Sequence, residues 1–227
     1  MVAVLVTAIF VFTGGSDGPV GDVIDDALGD DEPDTPKTPA FDFKLADPKV
    51  VTTAPTPEKE AAKKVAKAKA AEAAAPAAKA VADVLDALYT EAYLDPANWQ
   101  EGSYGAALSA FSKEARAQAQ DRLKLLTAGT DVSAFESIQP AASSLKTHVL
   151  LDQRNVPLSV VGTIKFKAVG VEGSTRSIFT SRGDFLLQKV DGEWTIMGFD
   201  VTRADKQREV SVNSAAPSTP SSSESAS

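Results

Sequence analysis

The side chains able to do chemistry in this chain are few. It has one histidine, His148, and no cysteine, which removes a thiolate nucleophile, a thiolate metal site and a disulfide framework. A zinc site would need carboxylates for most of its ligands, and no spacing offers them. The acidic run Asp25, Asp26, Asp30, Asp31, Glu32, Asp34 lacks the alternating ligands, central glycine and terminal glutamate of a calcium loop. A phosphate-cradling glycine loop is absent too, so neither metal nor cofactor is expected. What remains is His148 and Asp152 on one face of an expected strand, Asp184 and Asp200 at even-numbered positions of two others, and Tyr93 near the end of an expected helix. Asp184 and Asp200 can converge in a pocket, or they can pair with Arg182 and Arg203 on a wet surface, where ion pairs contribute little.

These residues need a scaffold, and the hydrophobic pattern describes one. The segment 77–94, AAKAVADVLDALYTEAYL, repeats large apolar residues at spacings of three and four (Val81, Val84, Leu85, Leu88, Tyr89), an amphipathic helix with one face to bury. Pro76 should break or restart any helix before it. After a loop, DPANWQEGSYG, a second helix is expected over about 106–126 with Leu108, Phe111, Ala115, Ala119, Leu123 and Leu126 as its buried stripe, closed by Gly129. From about Ser137 the period falls to 2. Strands are expected at 144–152, 156–168, 176–190 and 194–203. In the second, Leu158, Val160, Ile164 and Phe166 share the buried face while Lys165 and Lys167 face water. Asp191-Gly192 favours a tight hairpin before the last strand. The expected class is α+β: two helices packed on one face of an antiparallel sheet of about four strands. Trp99, Tyr104 and Trp194 are expected to pack rather than react.

Composition sets bounds on the rest. Of 227 residues, 43% are apolar but only 7% aromatic, and much of the apolar share is alanine, so the packed part is smaller than the chain. A net charge of −8 argues against nucleic-acid binding, which needs a basic footprint. Five regions are expected. Residues 1–13 hold an apolar run, Val2 to Phe12, too short to cross a hydrocarbon core alone. It is read as part of a membrane anchor or signal, or as a buried strand. Residues 14–57 read as an acidic, Pro/Gly-rich disordered linker, with ten acidic residues against three lysines between Asp17 and Lys49. Residues 58–76 are an Ala/Lys-rich helical or flexible segment, 77–208 the α+β domain, and 209–227 a Ser-rich disordered tail. If the N-terminus anchors the chain, the acidic flank lies outside the cell.

The order of elements carries a family resemblance. Trp99, Gly102 and Tyr104 in the loop, LKLLTAG at 123–129, and Asp191, Gly192, Trp194, Ile196, Gly198, Val201 and Arg203 in the last strand resemble the nuclear-transport-factor-two-like, cystatin-like cone domain. More narrowly, they resemble the extracytoplasmic domains of actinobacterial Mce-associated membrane proteins. The resemblance spans about residues 77–205 and implies a single-pass envelope protein with a protein or lipid partner. Enzymes of this fold, isomerases and dehydratases, place Asp, Tyr or His inside the cone, which makes His148, Asp184, Asp200 and Tyr93 the candidate pocket or ligand-binding residues.

Overall fold

The structure, a computed structural model, describes residues 37–129 and 132–209. The expected anchor, the first part of the linker and the tail beyond Glu209 lie outside the described residues.

The architecture is α+β: a long helix and several short ones against one seven-stranded sheet. The strands are β1 (Lys44–Leu45), β2 (Lys49–Thr52), β3 (Ser137–Pro140), β4 (Ser144–Leu151), β5 (Pro157–Glu172), β6 (Thr175–Val190) and β7 (Glu193–Glu209). The order is β1-β4-β5-β6-β7, with β2 also on β4 and β3 on β5. All pairs are antiparallel except β1 and β2, which run parallel to β4. The helices are α1 (Glu60–Tyr89), α2 (Pro96–Glu101), α3 (Lys113–Asp121) and α4 (Leu123–Leu126).

The period-2 reading holds in β4, β5 and β6, because these strands alternate buried and exposed residues. The exception is Leu158, expected inside and 47% exposed near the start of β5. Asp191 and Gly192 are the two central residues of the β6–β7 hairpin, with φ of 54° and 93° and Val190 opposite Glu193. That is the positive-φ pair a two-residue turn needs to match strand twist.

Four expectations change. Helix α1 runs straight through Pro76. That ring is exposed while Ala74, Ala77 and Ala78 are buried, so the carbonyl that loses its N–H partner lies on the solvent side, where water replaces it. The loop DPANWQEG contains α2: the Asp95 carboxylate accepts from Ala97 N, Pro96 occupies the first turn, and Gly102 closes it at φ 67°, the capping asymmetry of short helices. The expected helix over 106–126 is interrupted at Phe111, whose extended backbone bridges to Ile196 of β7. Ser112 N then donates to Ile196 O at 2.9 Å, and Ser112 Oγ caps α3 through Ala115 N. The predicted stripe survives the break, with Leu108, Phe111, Ala115, Ala119 and Leu126 all buried.

The fourth change is in the linker, whose last part belongs to the sheet. Phe41 and Phe43 pack edge-on against Phe166, and Phe43 against Tyr89. Burying Phe43 stabilises by about 1.5–3 kcal/mol and the half-buried Phe41 adds part of that, enough to order a short segment whose strands alone would not form. Phe43 N also donates to Asp86 Oδ1 of α1 at 2.7 Å, tying β1 to the helix.

Burial, opposed only partly by that hydrogen bond, raises the Asp86 pKa from 3.8 to about 6. The folded state therefore holds the proton more tightly than the unfolded chain, and stability falls as pH rises from about 4 through 6. Asp86→Asn keeps an acceptor for Phe43 N and has no charge to desolvate. The variant should gain about 1 kcal/mol over the parent above pH 6, with half-exposure allowed for, and the gain should vanish below pH 4. Thermal melts from pH 4 to 7 test this; a pH-independent difference would refute it.

Candidate functional site

The helix-covered face of the sheet is packed solid at its centre. Tyr89 and Tyr93 stack at 5.4 Å, and Phe166 lies 4.8 Å and 4.9 Å from them. Tyr89 OH pairs with Ser181 Oγ at 2.8 Å, and Tyr93 OH donates to Leu125 O at 3.2 Å. Burial drives both phenol pKa values upward. Tyr93 is thus a hydrogen-bonded core residue with no exposed surface.

The other three sequence candidates lie on the opposite face. His148 and Asp184 are exposed, because the buried positions of β4 and β6 are the odd-numbered ones, Leu145 and Val149, Phe185 and Leu187. Asp200 is exposed for a different reason. The β6–β7 register shifts between Leu186 and Leu187, which face Gly198 and Ile196, so Met197 is an extra residue and the buried parity changes from Ile196 to Val201. Asp184 and Asp200 do meet, as a directly opposed pair, with Thr163 Oγ1 donating to Asp184 Oδ1 at 2.6 Å. His148 is in β4, two strands from Asp184, roughly 10 Å away. Asp152 is a turn residue: its Oδ1 accepts from Arg154 N and Val156 N. The four candidates therefore do not form one site.

The same bulge turns Arg203 inward. Its guanidinium pairs with the Asp205 carboxylate through Nε at 2.9 Å and Nη2 at 2.6 Å. Nη1 donates to Lys124 O at 3.0 Å and to Thr127 O. The rings of Phe179 and Tyr93 lie 5.3 Å and 5.9 Å from its centre. Tyr104 OH donates to Gly129 O at 2.6 Å, and burial pushes that phenol up to about 12. Beside Arg203 lies a recess of about 410 Å³ lined in part by Phe135, Ser177 and Phe179. Ser177 Oγ is buried there without a hydrogen-bond partner among the described residues.

A larger groove, about 1130 Å³, runs between the N-terminal half of α1 and the β2–α1 connection. Alanines, prolines, Val50 and Val65 line it, and its charged lining residues are all lysines. Val65 is 55% exposed. Sequence reasoning missed this groove because 37–57 read as linker, although Val50 and the Ala/Lys run were both visible. Among the described residues, no cluster of three metal-ligating side chains occurs, and no helix is long and apolar enough to cross a membrane.

The class these features define is an α+β scaffold with a filled centre and open recesses at its margins. Comparison with protein-family models and with curated proteins finds no match.

Proposed function

We propose that this chain is a non-catalytic, membrane-tethered domain of the nuclear-transport-factor-two-like kind, held outside the cell membrane and binding a protein or lipid partner at the envelope. In this reading it serves as an accessory to an envelope transport system, as in the Mce-associated proteins it resembles. The apolar run Val2–Phe12 supports the tether. The observation that carries the reading is the position of open space: the centre is occupied by Tyr89, Tyr93 and Phe166, whereas the 1130 Å³ groove faces outward with apolar walls and lysines. A concave surface with apolar walls and a few placed polar groups is the usual form of a binding site.

The test is a photo-crosslinker at Ala62 in the full chain, expressed in its own cells. The expected product is one defined protein or lipid adduct in the membrane fraction, reduced at least 10-fold by Val65→Asp with the fold intact by circular dichroism. A soluble, adduct-free chain would overturn the reading.

A second reading, a carrier or isomerase-type enzyme, is favoured by one observation, the Ser177 Oγ in the recess beside Arg203 that has no hydrogen-bond partner among the described residues. It predicts that small apolar molecules with one hydrogen-bonding group raise the Tm and that Ser177→Ala abolishes the rise. No shift across such a panel would sink it.

A further inference from the structure

On the sheet face away from α1, cations are gathered in a cleft with no ion pair to a carboxylate among the described residues. Lys165 of β5 and Arg182 of β6 stand directly opposite one another, a like-charge arrangement that destabilises a strand pair. Lys167, two residues along β5, shares their face. Lys44 of β1 and Lys206 of β7 complete the walls of a cleft of about 580 Å³. Among the described residues no Asp or Glu lines it, and Ser144 and Thr180 add hydroxyls. None of the five cations joins an ion pair among the described residues. Asp184 and Asp200 lie one row further along, yet neither bridges to Arg182. Charge balance makes this more than the surface of a basic protein: the chain is −8 overall, while residues 37–209 carry 23 Lys and Arg against 22 Asp and Glu. Five cations in one cleft of a nearly neutral domain are a local excess.

We propose that this cleft binds a multivalent phosphate-bearing anion. Two or more charges are required to offset five cations. A cleft, rather than a flat patch, suits a compact anion. The mixture of lysine point charges, one planar guanidinium and hydroxyl donors suits tetrahedral phosphate, whose oxygens accept from many directions. A lipid headgroup and a free polyphosphate share this chemistry. The proposal is independent of the groove beside α1.

The experiment uses the full chain. Tripolyphosphate is titrated calorimetrically at 50 mM and 200 mM NaCl, and flotation compares vesicles of phosphatidylglycerol with vesicles of phosphatidylcholine. Binding of tripolyphosphate should weaken roughly 10-fold or more in K165Q/R182Q and at the higher salt, where exposed charges are screened within about 8 Å. Lys63→Gln with Lys67→Gln, in the other groove, serves as the control and should change nothing. Flotation with phosphatidylglycerol alone, lost in K165Q/R182Q, identifies a lipid headgroup as the source; tripolyphosphate binding without flotation identifies a soluble one. The proposal is overturned if neither probe binds at 50 mM NaCl, if K165Q/R182Q binds like the parent while folded, or if a hexa-aspartate peptide binds more tightly than tripolyphosphate.

Discussion

Gly183→Ala is expected to destabilise the protein by about 3 kcal/mol, at the upper end of what overpacking a core costs. Gly183 lies in the middle of β6, between Ile164 of β5 and Val201 of β7, with φ of 155°. A Cβ placed there would sit 2.0 Å from Asp200 O and 2.6 Å from Val201 Cα. Both are backbone atoms of a paired strand, so no rotamer change relieves the overlap and β6 must separate from β7 locally. Gly198 supplies the contrast, since a Cβ there meets nothing within 4 Å and Gly198→Ala should remain within about 0.5 kcal/mol of the parent. Urea unfolding measures both: the midpoint for Gly183→Ala should fall with an unchanged slope. Equal midpoints for the two variants would show that the β6–β7 pairing yields more easily than its geometry implies.

That pairing also explains which parts of the molecule were legible from sequence. Alternation is a local property, so β4, β5 and β6 were readable, and the Asp191-Gly192 turn fixed where β6 ends. A bulge is not local. Nothing in WTIMGFDVTR marks Met197 as the extra residue, yet that residue decides that Asp200 faces solvent and Arg203 faces the helices. A strict even-numbered count from Ile196 would put Asp200 inside, whereas the bulge leaves it in solvent. The parallel strands β1 and β2 were hidden for another reason. They span two and four residues, too few to show a period, and they are held by long-range pairing with β4 and, beside β1, by contacts of Phe41, Phe43 and the Asp86 carboxylate. Pro76 misled because a proline on the solvent face of a helix loses only a hydrogen bond that water can replace. The cation cleft was half visible: Lys165 and Lys167 alternate along one strand, but their register with Arg182 exists only in the folded sheet.

Arg203, placed inward by the bulge, is the second residue with a large expected effect. Arg203→Ala should cost about 3 kcal/mol, since it removes donors from two backbone carbonyls and leaves Asp205 without its partner. The side chain is only 12% exposed, so little of its interaction is screened by solvent. Arg203→Lys keeps the charge but not the planar fork, and one ammonium cannot serve the Asp205 carboxylate and the carbonyls of Lys124 and Thr127 together. About half the loss should therefore remain. Asp205→Asn removes only the ion pair, whose acidic side chain is 43% exposed, and should cost about 1 kcal/mol. The order Ala, Lys, Asn in decreasing damage separates a tether from a simple charge pair, for which Arg203→Ala and Asp205→Asn would match. Hydrogen exchange supplies the local readout. Arg203 joins β7 to the end of α4, so Arg203→Ala should speed exchange at Thr127 N, which donates to Leu123 O, more than at the centre of β5. Uniform acceleration would mean that Arg203 supports the whole fold rather than the segment that closes over the recess beside it.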